Sequence, residues 1–113
     1  MWSSSVTTGA ELSIAGLTAK SLGQEFGTPT FFIDEADFCE RALAWDKALK
    51  DAFGPNAGTV YYASKAFICT EVARWIKEIG IGIDVSTGGE MAVALAGGID
   101  PSKICLLYTS PSP

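Results

Sequence analysis

The alternation of short apolar runs and helical patterns beyond residue 57 is the feature that most limits the fold of this chain. The runs 58–63 and 81–85 each predict a strand, and a helical pattern follows each of them after a short connection. The order strand, helix, strand, helix is typical of parallel βα units. We therefore predict an α/β fold.

Three helices are predicted from the spacing of apolar side chains. The first begins after Asp34, a good N-cap residue, and ends at Gly54-Pro55. The second ends at Gly80, and the third follows a turn that opens at Ser86 and runs to Gly97-Gly98. We expect the first helix to bury one face, formed by residues three or four positions apart: Phe38, Ala42, Trp45, Leu49 and Phe53.

The two ends of the chain lie outside this alternation. Pro29 leads into an extended apolar run, Thr30–Ile33, which reads as a further strand. Two and a half βα units cannot form a closed barrel, which takes about eight strands, so we expect the chain to be the front of a larger protein. Residues 105–113 resemble a translated adapter from sequencing libraries, and we expect them to be a non-native tail; a genuine Pro-rich tail is the alternative.

Composition and charge exclude several classes of function. The net charge of −5 argues against binding to DNA or RNA. The sequence has no apolar stretch of about 18 residues and no basic N-terminal region, so we expect a soluble, cytoplasmic protein without a signal peptide or membrane span. The lack of histidine and the three widely spaced cysteines argue against zinc clusters and Ser/His/Asp triads, and we predict no metal site. Any chemistry must use lysine, carboxylates or a cofactor.

Lys65 stands where the predicted strand 58–63 passes into the following loop. In parallel βα folds this edge of the sheet is where ligands bind. A lysine buried without a partner is costly, so Lys65 must reach solvent, pair with a carboxylate or take part in chemistry. Strand alternation places Tyr61, Ala63 and Lys65 on one face. The strand alone favours a structural lysine and leaves a catalytic one open.

Two carboxylates follow one βα unit later. Asp84 ends the second strand at the same sheet edge, and Glu90 lies six residues further on. Thr87 and Glu90 have the spacing of a capping box, which favours a structural role for Glu90. A glycine-rich helix start could instead admit a phosphate or another anion. For Asp84 the residues alone leave structure and catalysis open.

Three stretches in order carry a family resemblance: "FGTPTFFIDEADF", "VYYASKAF" and "GIGIDVSTGGEMAVALAGGI". Together they resemble the N-terminal part of the diaminopimelate decarboxylases, which belong to a pyridoxal-phosphate-dependent group with the ornithine and arginine decarboxylases. The resemblance runs from about Leu12 to Ile104. It implies the N-terminal part of a (β/α)8 barrel of the alanine racemase type, PLP fold type III. Residues 1–34 would then be an N-terminal segment with a strand of a second, β-rich domain, and 35–104 an incomplete cofactor-binding barrel domain.

The resemblance also implies a function and its residues. In this family the lysine of a Y-A-x-K motif, here Lys65, is catalytic and holds pyridoxal 5'-phosphate as a Schiff base. The family's D-x-x-S-x-G-E motif, which this chain matches at Asp84, Ser86, Gly88 and Glu90 with an offset in register, adds Asp84 and Glu90 as cofactor-binding residues. The implied reaction is decarboxylation of meso-2,6-diaminopimelate to L-lysine by a homodimer. We expect the 113-residue chain to be inactive by itself, because the other cofactor and substrate residues would lie beyond Ile104.

The alternatives are of two kinds. Within the same chemistry, an ornithine or arginine decarboxylase or a racemase of related fold would share these motifs. Outside it, a non-catalytic βα module would use Lys65 and Asp84 as a structural ion pair.

Overall fold

The computed structural model describes residues 6–56 and 58–107. The chain forms two compact units, Met1–Glu40 and Arg41–Pro113, and each is described by itself. Within the described ranges no helix has the length and apolar character needed to cross a membrane. The expected tail, 105–113, lies outside the described residues from position 108 onward.

The first unit contains a small antiparallel sheet with the order β1-β2-β3. Its strands are two residues each: β1 (Val6–Thr7), β2 (Ser13–Ile14) and β3 (Leu17–Thr18). The β2–β3 connection is Ala15-Gly16, and both residues have positive φ, 50° and 78°. Two such residues make the tight turn that matches the twist of paired strands. We did not predict this hairpin from the sequence.

Helix α1 (Ala19–Phe26) follows the hairpin directly. The Thr18 hydroxyl accepts a hydrogen bond from the Ser21 N–H at 3.1 Å and so caps the helix. Gly27, with a φ of 80°, ends it, which is where the apolar pattern of this segment also ends.

The strand predicted over Thr30–Ile33 is absent: residues 27–34 contain neither helix nor strand. An extended segment becomes a strand only when a neighbour pairs with its backbone, and no described strand pairs with this one. Phe31 is fully exposed, and Phe32 and Ile33 are also exposed. Thr30–Ile33 thus forms no strand within the described residues, and its assignment to a second, β-rich domain stays a prediction.

Helix α2 (Glu35–Phe53) begins and ends as predicted, and it continues from the first unit into the second. The Asp34 carboxylate accepts hydrogen bonds from the N–H groups of Ala36 (2.9 Å) and Asp37 (3.3 Å), which makes Asp34 the N-cap. Gly54 follows the last turn with a φ of 91°.

The apolar face of α2 is not buried, contrary to our prediction. No residue of this helix is fully buried, and the side chains of Trp45 and Phe53 are 71% and 75% exposed. The spacing determines which side of a helix is apolar, but another element must cover that side. The described residues cover it only in part, because Phe38, Ala42 and Leu49 are half-buried while Trp45 and Phe53 stay exposed.

The second unit contains a parallel sheet with the order β4-β5-β6. Helix α3 (Thr70–Ile79) joins the first two strands and α4 (Gly88–Ala96) joins the last two. This is the predicted succession of βα units. The strands are β4 (Tyr61–Ala63), β5 (Gly82–Val85) and β6 (Ile104–Leu106).

The core of this unit lies where α3 and α4 pack on β5 and on each other. Its largest fully buried side chains are Val72, Ile76, Ile83 and Val85. Gly97 permits the close approach of the two helices, because a Cβ at this position would lie only 2.4 Å from the Cβ of Ala73. Side chains from both helices and the central strand therefore fix the position of the sheet edge.

Strand β4 is shorter than the predicted run 58–63. Its partner β5 begins only at Gly82, opposite Tyr61, because the left-handed cap at Gly80 (φ 87°) ends α3 just before it. One further backbone bond joins the Gly82 N–H to the Val60 carbonyl. Residues 58 and 59 therefore lie outside the strand.

Candidate functional site at the carboxyl edge of the parallel sheet

Lys65 lies directly beyond the carboxyl end of β4, in a single 3₁₀ turn, Ser64–Ala66. The turn sets the direction of its side chain, so the predicted strand alternation with Tyr61 and Ala63 stops short of Lys65. The side chain is exposed. Among the described residues no hydrogen bond or ion pair involves Lys65, so the structural ion pair that we considered is not formed there.

Asp84 is brought to the same edge of the sheet. It lies in β5, opposite Ala63 of β4. Ala63 precedes Lys65 by two positions, and β5 contacts the turn that carries Lys65. The Asp84 side chain is half-buried. On its other side Asp84 is opposite Cys105 of β6. The nearby Asp84 carboxylate, together with burial, raises the pKa of the Cys105 thiol.

Glu90 forms the predicted capping box at the start of α4. The Thr87 hydroxyl accepts from the Glu90 N–H at 3.2 Å, and the Glu90 carboxylate accepts from the Thr87 N–H at 3.2 Å. The same carboxylate oxygen accepts from the Ser86 N–H at 2.6 Å. The hydrogen bond from Ser86 is the main reason that the pKa of Glu90 is lowered.

The capping box bears on the alternative of a phosphate at this helix start. The N–H groups of Ser86 and Thr87 already bind the Glu90 carboxylate, so an internal anion occupies them. A Cβ at Gly88 would meet nothing within 4 Å, and packing therefore does not require glycine there. The geometry supports capping over a phosphate at these two N–H groups.

Ser64 is a member of this edge that we did not predict. It is 3% exposed, and its hydroxyl has no hydrogen-bond partner among the described residues. The hydroxyl faces the Glu90 carboxylate closely enough to contribute to its lowered pKa, although outside hydrogen-bonding geometry. A buried hydroxyl without a partner costs free energy. The only sequence signal for Ser64 is a small polar residue at the end of an apolar run.

The edge therefore combines an exposed primary amine, a half-buried carboxylate and a buried hydroxyl without a partner. A primary amine can form a covalent bond to an aldehyde carbon, and neighbouring carboxylates can accept or return protons. These groups fit the aldehyde end of pyridoxal phosphate. The residues that supply them are Lys65, Asp84 and Ser64.

This parallel βα architecture, with an exposed lysine at the carboxyl edge, is typical of a class of cofactor-binding α/β proteins. The family model described as pyridoxal-dependent decarboxylase, pyridoxal binding domain, matches residues 35–111. The match covers more than half of the chain and includes Lys65, Asp84 and Glu90. The chain belongs to this pyridoxal-dependent decarboxylase family, which implies pyridoxal phosphate as the cofactor.

Curated relatives give a consistent result. The diaminopimelate decarboxylase of Mycobacterium tuberculosis is 52% identical over 93 residues, which make up 82% of this chain and 20% of that enzyme. The diaminopimelate decarboxylase of Mycobacterium leprae is 48% identical over 93 residues, 82% of this chain and 19% of that enzyme. The chain thus spans about one fifth of the length of the curated relatives it matches. The resemblance that we inferred from the motifs is confirmed.

Solved structures show the same fold. A crystal structure from Aquifex aeolicus matches with a TM-score of 0.75 and 28% identity, covering 96% of this chain and 26% of that one. The crystal structure of diaminopimelate decarboxylase from M. jannaschii matches with a TM-score of 0.74 and 25% identity, covering 88% of this chain and 24% of that one. These matches confirm the predicted fold class, the N-terminal βα units of a pyridoxal-phosphate barrel.

Proposed function

We propose that the protein decarboxylates meso-2,6-diaminopimelate to L-lysine, with pyridoxal phosphate bound covalently at Lys65. One observation carries the proposal: Lys65 lies exposed, without an ion pair among the described residues, at the sheet edge next to Asp84. The 52% identity to a diaminopimelate decarboxylase favours this substrate over ornithine or arginine. The family match favours an enzyme over a non-catalytic module.

Pyridoxal phosphate supplies an electron sink when it is bound, and this allows the α-carbon of an amino acid to lose CO2. Lys65 would hold the cofactor covalently through its amine. The same amine could give or take a proton at the α-carbon of the substrate. The exposure of Lys65 suits both tasks, because its amine must be reached by cofactor and by substrate.

The two carboxylates have different roles in this proposal. Asp84 is placed on the strand next to the lysine turn, where its negative charge can attract the protonated amine and exchange a proton with it. Glu90 acts mainly through structure, because its carboxylate is held by the N–H groups of Ser86 and Thr87. Its proposed part in cofactor binding is to fix the β5–α4 loop beside Ser64.

The partners proposed are those that the family resemblance implies. The substrate is a small amino acid, and the active protein is a cytoplasmic homodimer. Sedimentation of the product of the complete gene tests the oligomeric state, and a monomer at working concentration would contradict it.

The reaction itself is tested with the product of the complete gene, pyridoxal phosphate and meso-2,6-diaminopimelate, with L-lysine measured by chromatography. We expect L-lysine from the unsubstituted protein and none from Lys65→Ala. Lys20→Ala is the matched control, because Lys20 is exposed on α1, outside the proposed site, and this variant should keep full activity. Parallel reactions with ornithine and arginine test the alternative substrates. Turnover of one of these instead, or activity that survives Lys65→Ala, would overturn the proposal.

A further inference from the structure

The turn that carries Lys65 is closed by the side chain of a residue that precedes it. Tyr62 lies in β4, and its hydroxyl donates a hydrogen bond of 2.7 Å to the carbonyl oxygen of Phe67. The donor comes before the turn Ser64–Ala66 and the acceptor comes after it. This bond therefore ties the two ends of the lysine turn together.

The turn has little other local support. Ala63 precedes it and provides no side-chain capping bond, and Phe67 leaves it in an extended conformation with a φ of −174°. Helix α3 begins soon afterwards at Thr70, and its N-cap residue, Cys69, also makes no side-chain capping bond. A single 3₁₀ turn has poorer hydrogen-bond geometry than an α-helix and depends on its surroundings. The bond from Tyr62 thus supplies support that the turn itself lacks.

The surroundings of Tyr62 suit a permanent donor. The side chain is half-buried, and burial raises the pKa of its phenol, so the hydroxyl keeps its proton at neutral pH.

Tyr61 offers a close contrast in the same strand. It is 41% exposed, and its ring lies over Gly82, where an added Cβ would come within 2.4 Å of a ring carbon. No described residue forms a hydrogen bond with the Tyr61 hydroxyl. The loss of that hydroxyl should therefore leave the ring contact in place.

We propose that Tyr62 is a positioning residue for Lys65: its hydrogen bond to Phe67 holds the lysine turn so that the amine stays at the sheet edge for reaction with pyridoxal phosphate. This inference rests on the proposed function of Lys65. In the reaction, the Lys65 nitrogen bonds to the aldehyde carbon, and the aldehyde oxygen leaves as water with two protons from the amine. Tyr62 does not touch the reacting atoms, and it acts through the backbone of the turn.

The test is a time course of cofactor attachment to the product of the complete gene. Samples with pyridoxal phosphate are quenched with borohydride, which adds hydride to the aldehyde carbon, and the labelled lysines are located by peptide mass spectrometry. We expect Tyr62→Phe to label Lys65 about threefold to tenfold more slowly than the unsubstituted protein, the effect of one lost hydrogen bond. Tyr61→Phe should label Lys65 at the unsubstituted rate. Labelling of exposed Lys20 serves as an internal reference and should not change.

A second measurement separates positioning from a loss of folding. Tyr62→4-aminophenylalanine retains a donor at the same place and should restore the labelling rate to within about twofold of Tyr61→Phe. If Tyr62→Phe does not fold, as judged by circular dichroism, this variant decides the question alone. Equal Lys65 labelling rates in folded Tyr62→Phe and Tyr61→Phe, or no rescue by 4-aminophenylalanine, would overturn the role of Tyr62 but not that of Lys65. No label on Lys65 in the unsubstituted protein would overturn both.

Discussion

Helices α2 and α3 have the same kind of apolar spacing, but only α3 has fully buried side chains. In α3, Val72 and Ile76 are 1% and 0% exposed, because β5 and α4 pack on this helix. In α2, Trp45 and Phe53 remain 71% and 75% exposed. An apolar stripe therefore predicts which side of a helix seeks a partner, and the partner must come from elsewhere in the fold.

The largest expected effect tests this contrast directly. Ile76→Ala should lower the free energy of unfolding by about 2 to 5 kcal/mol, because it leaves a cavity in a packed core. Trp45→Ala should change it by less than about 0.5 kcal/mol in the 113-residue chain, since most of that side chain is already in water. Urea denaturation followed by circular dichroism measures both values. Similar losses of unfolding free energy for the two variants would show that the apolar face of α2 is covered in solution.

A smaller effect should come from the contact between α3 and α4. Gly97→Ala places a Cβ 2.4 Å from the Cβ of Ala73, so the helices must move apart, at a cost of about 1 to 3 kcal/mol. Gly88→Ala is the matched control at the other end of α4, where a Cβ meets nothing within 4 Å. Thermal unfolding of both variants checks the difference. Equal unfolding temperatures would mean that the covered face of α3 is looser than described.

The smallest expected effect on stability concerns Glu90, in the first turn of α4 beside the sheet edge. Because hydrogen bonds lower the pKa of Glu90 in the folded state, its contribution to stability is present above the pKa of the unfolded chain. That contribution is lost as the pH falls through the lowered, folded-state pKa. Glu90→Gln keeps a capping side chain but cannot titrate. Its unfolding free energy should fall less steeply with acid than that of the unsubstituted chain.

A matched variant completes the pH experiment. Glu25→Gln removes an exposed carboxylate on α1 and should leave the acid dependence as it is in the unsubstituted chain. Parallel acid profiles for Glu90→Gln and the unsubstituted chain would contradict the lowered pKa of Glu90.

Local signals in the sequence predicted the helix ends well. Asp34 at the start of α2, Gly80 at the end of α3 and the capping box of Thr87 and Glu90 were all confirmed, because each depends on residues within a few positions. Thr30–Ile33 forms no strand among the described residues, because a strand needs a partner that is distant in sequence, and its place in a second domain stays a prediction. The predicted length of β4 was wrong because its pairing depends on where β5 begins, which is distant in sequence.

The candidate site was predictable only in part. Lys65 was singled out by its place at the end of a strand, where ligands bind in parallel βα folds, and by the Y-A-x-K resemblance. Asp84 was singled out because it ends the next strand. Tyr62 was not, because its hydrogen bond goes to a backbone carbonyl, which leaves no trace in the pattern of side chains. Ser64 was missed because its burial depends on how the turn after β4 meets the β5–α4 loop.

The central claim is that the amine at the carboxyl end of β4 binds the cofactor. Its most direct test is the absorption spectrum of the product of the complete gene after incubation with pyridoxal phosphate and removal of the excess. We expect a yellow protein whose visible band is absent from Lys65→Ala and retained in Lys20→Ala. A Lys65→Ala protein with an unchanged visible band would contradict it.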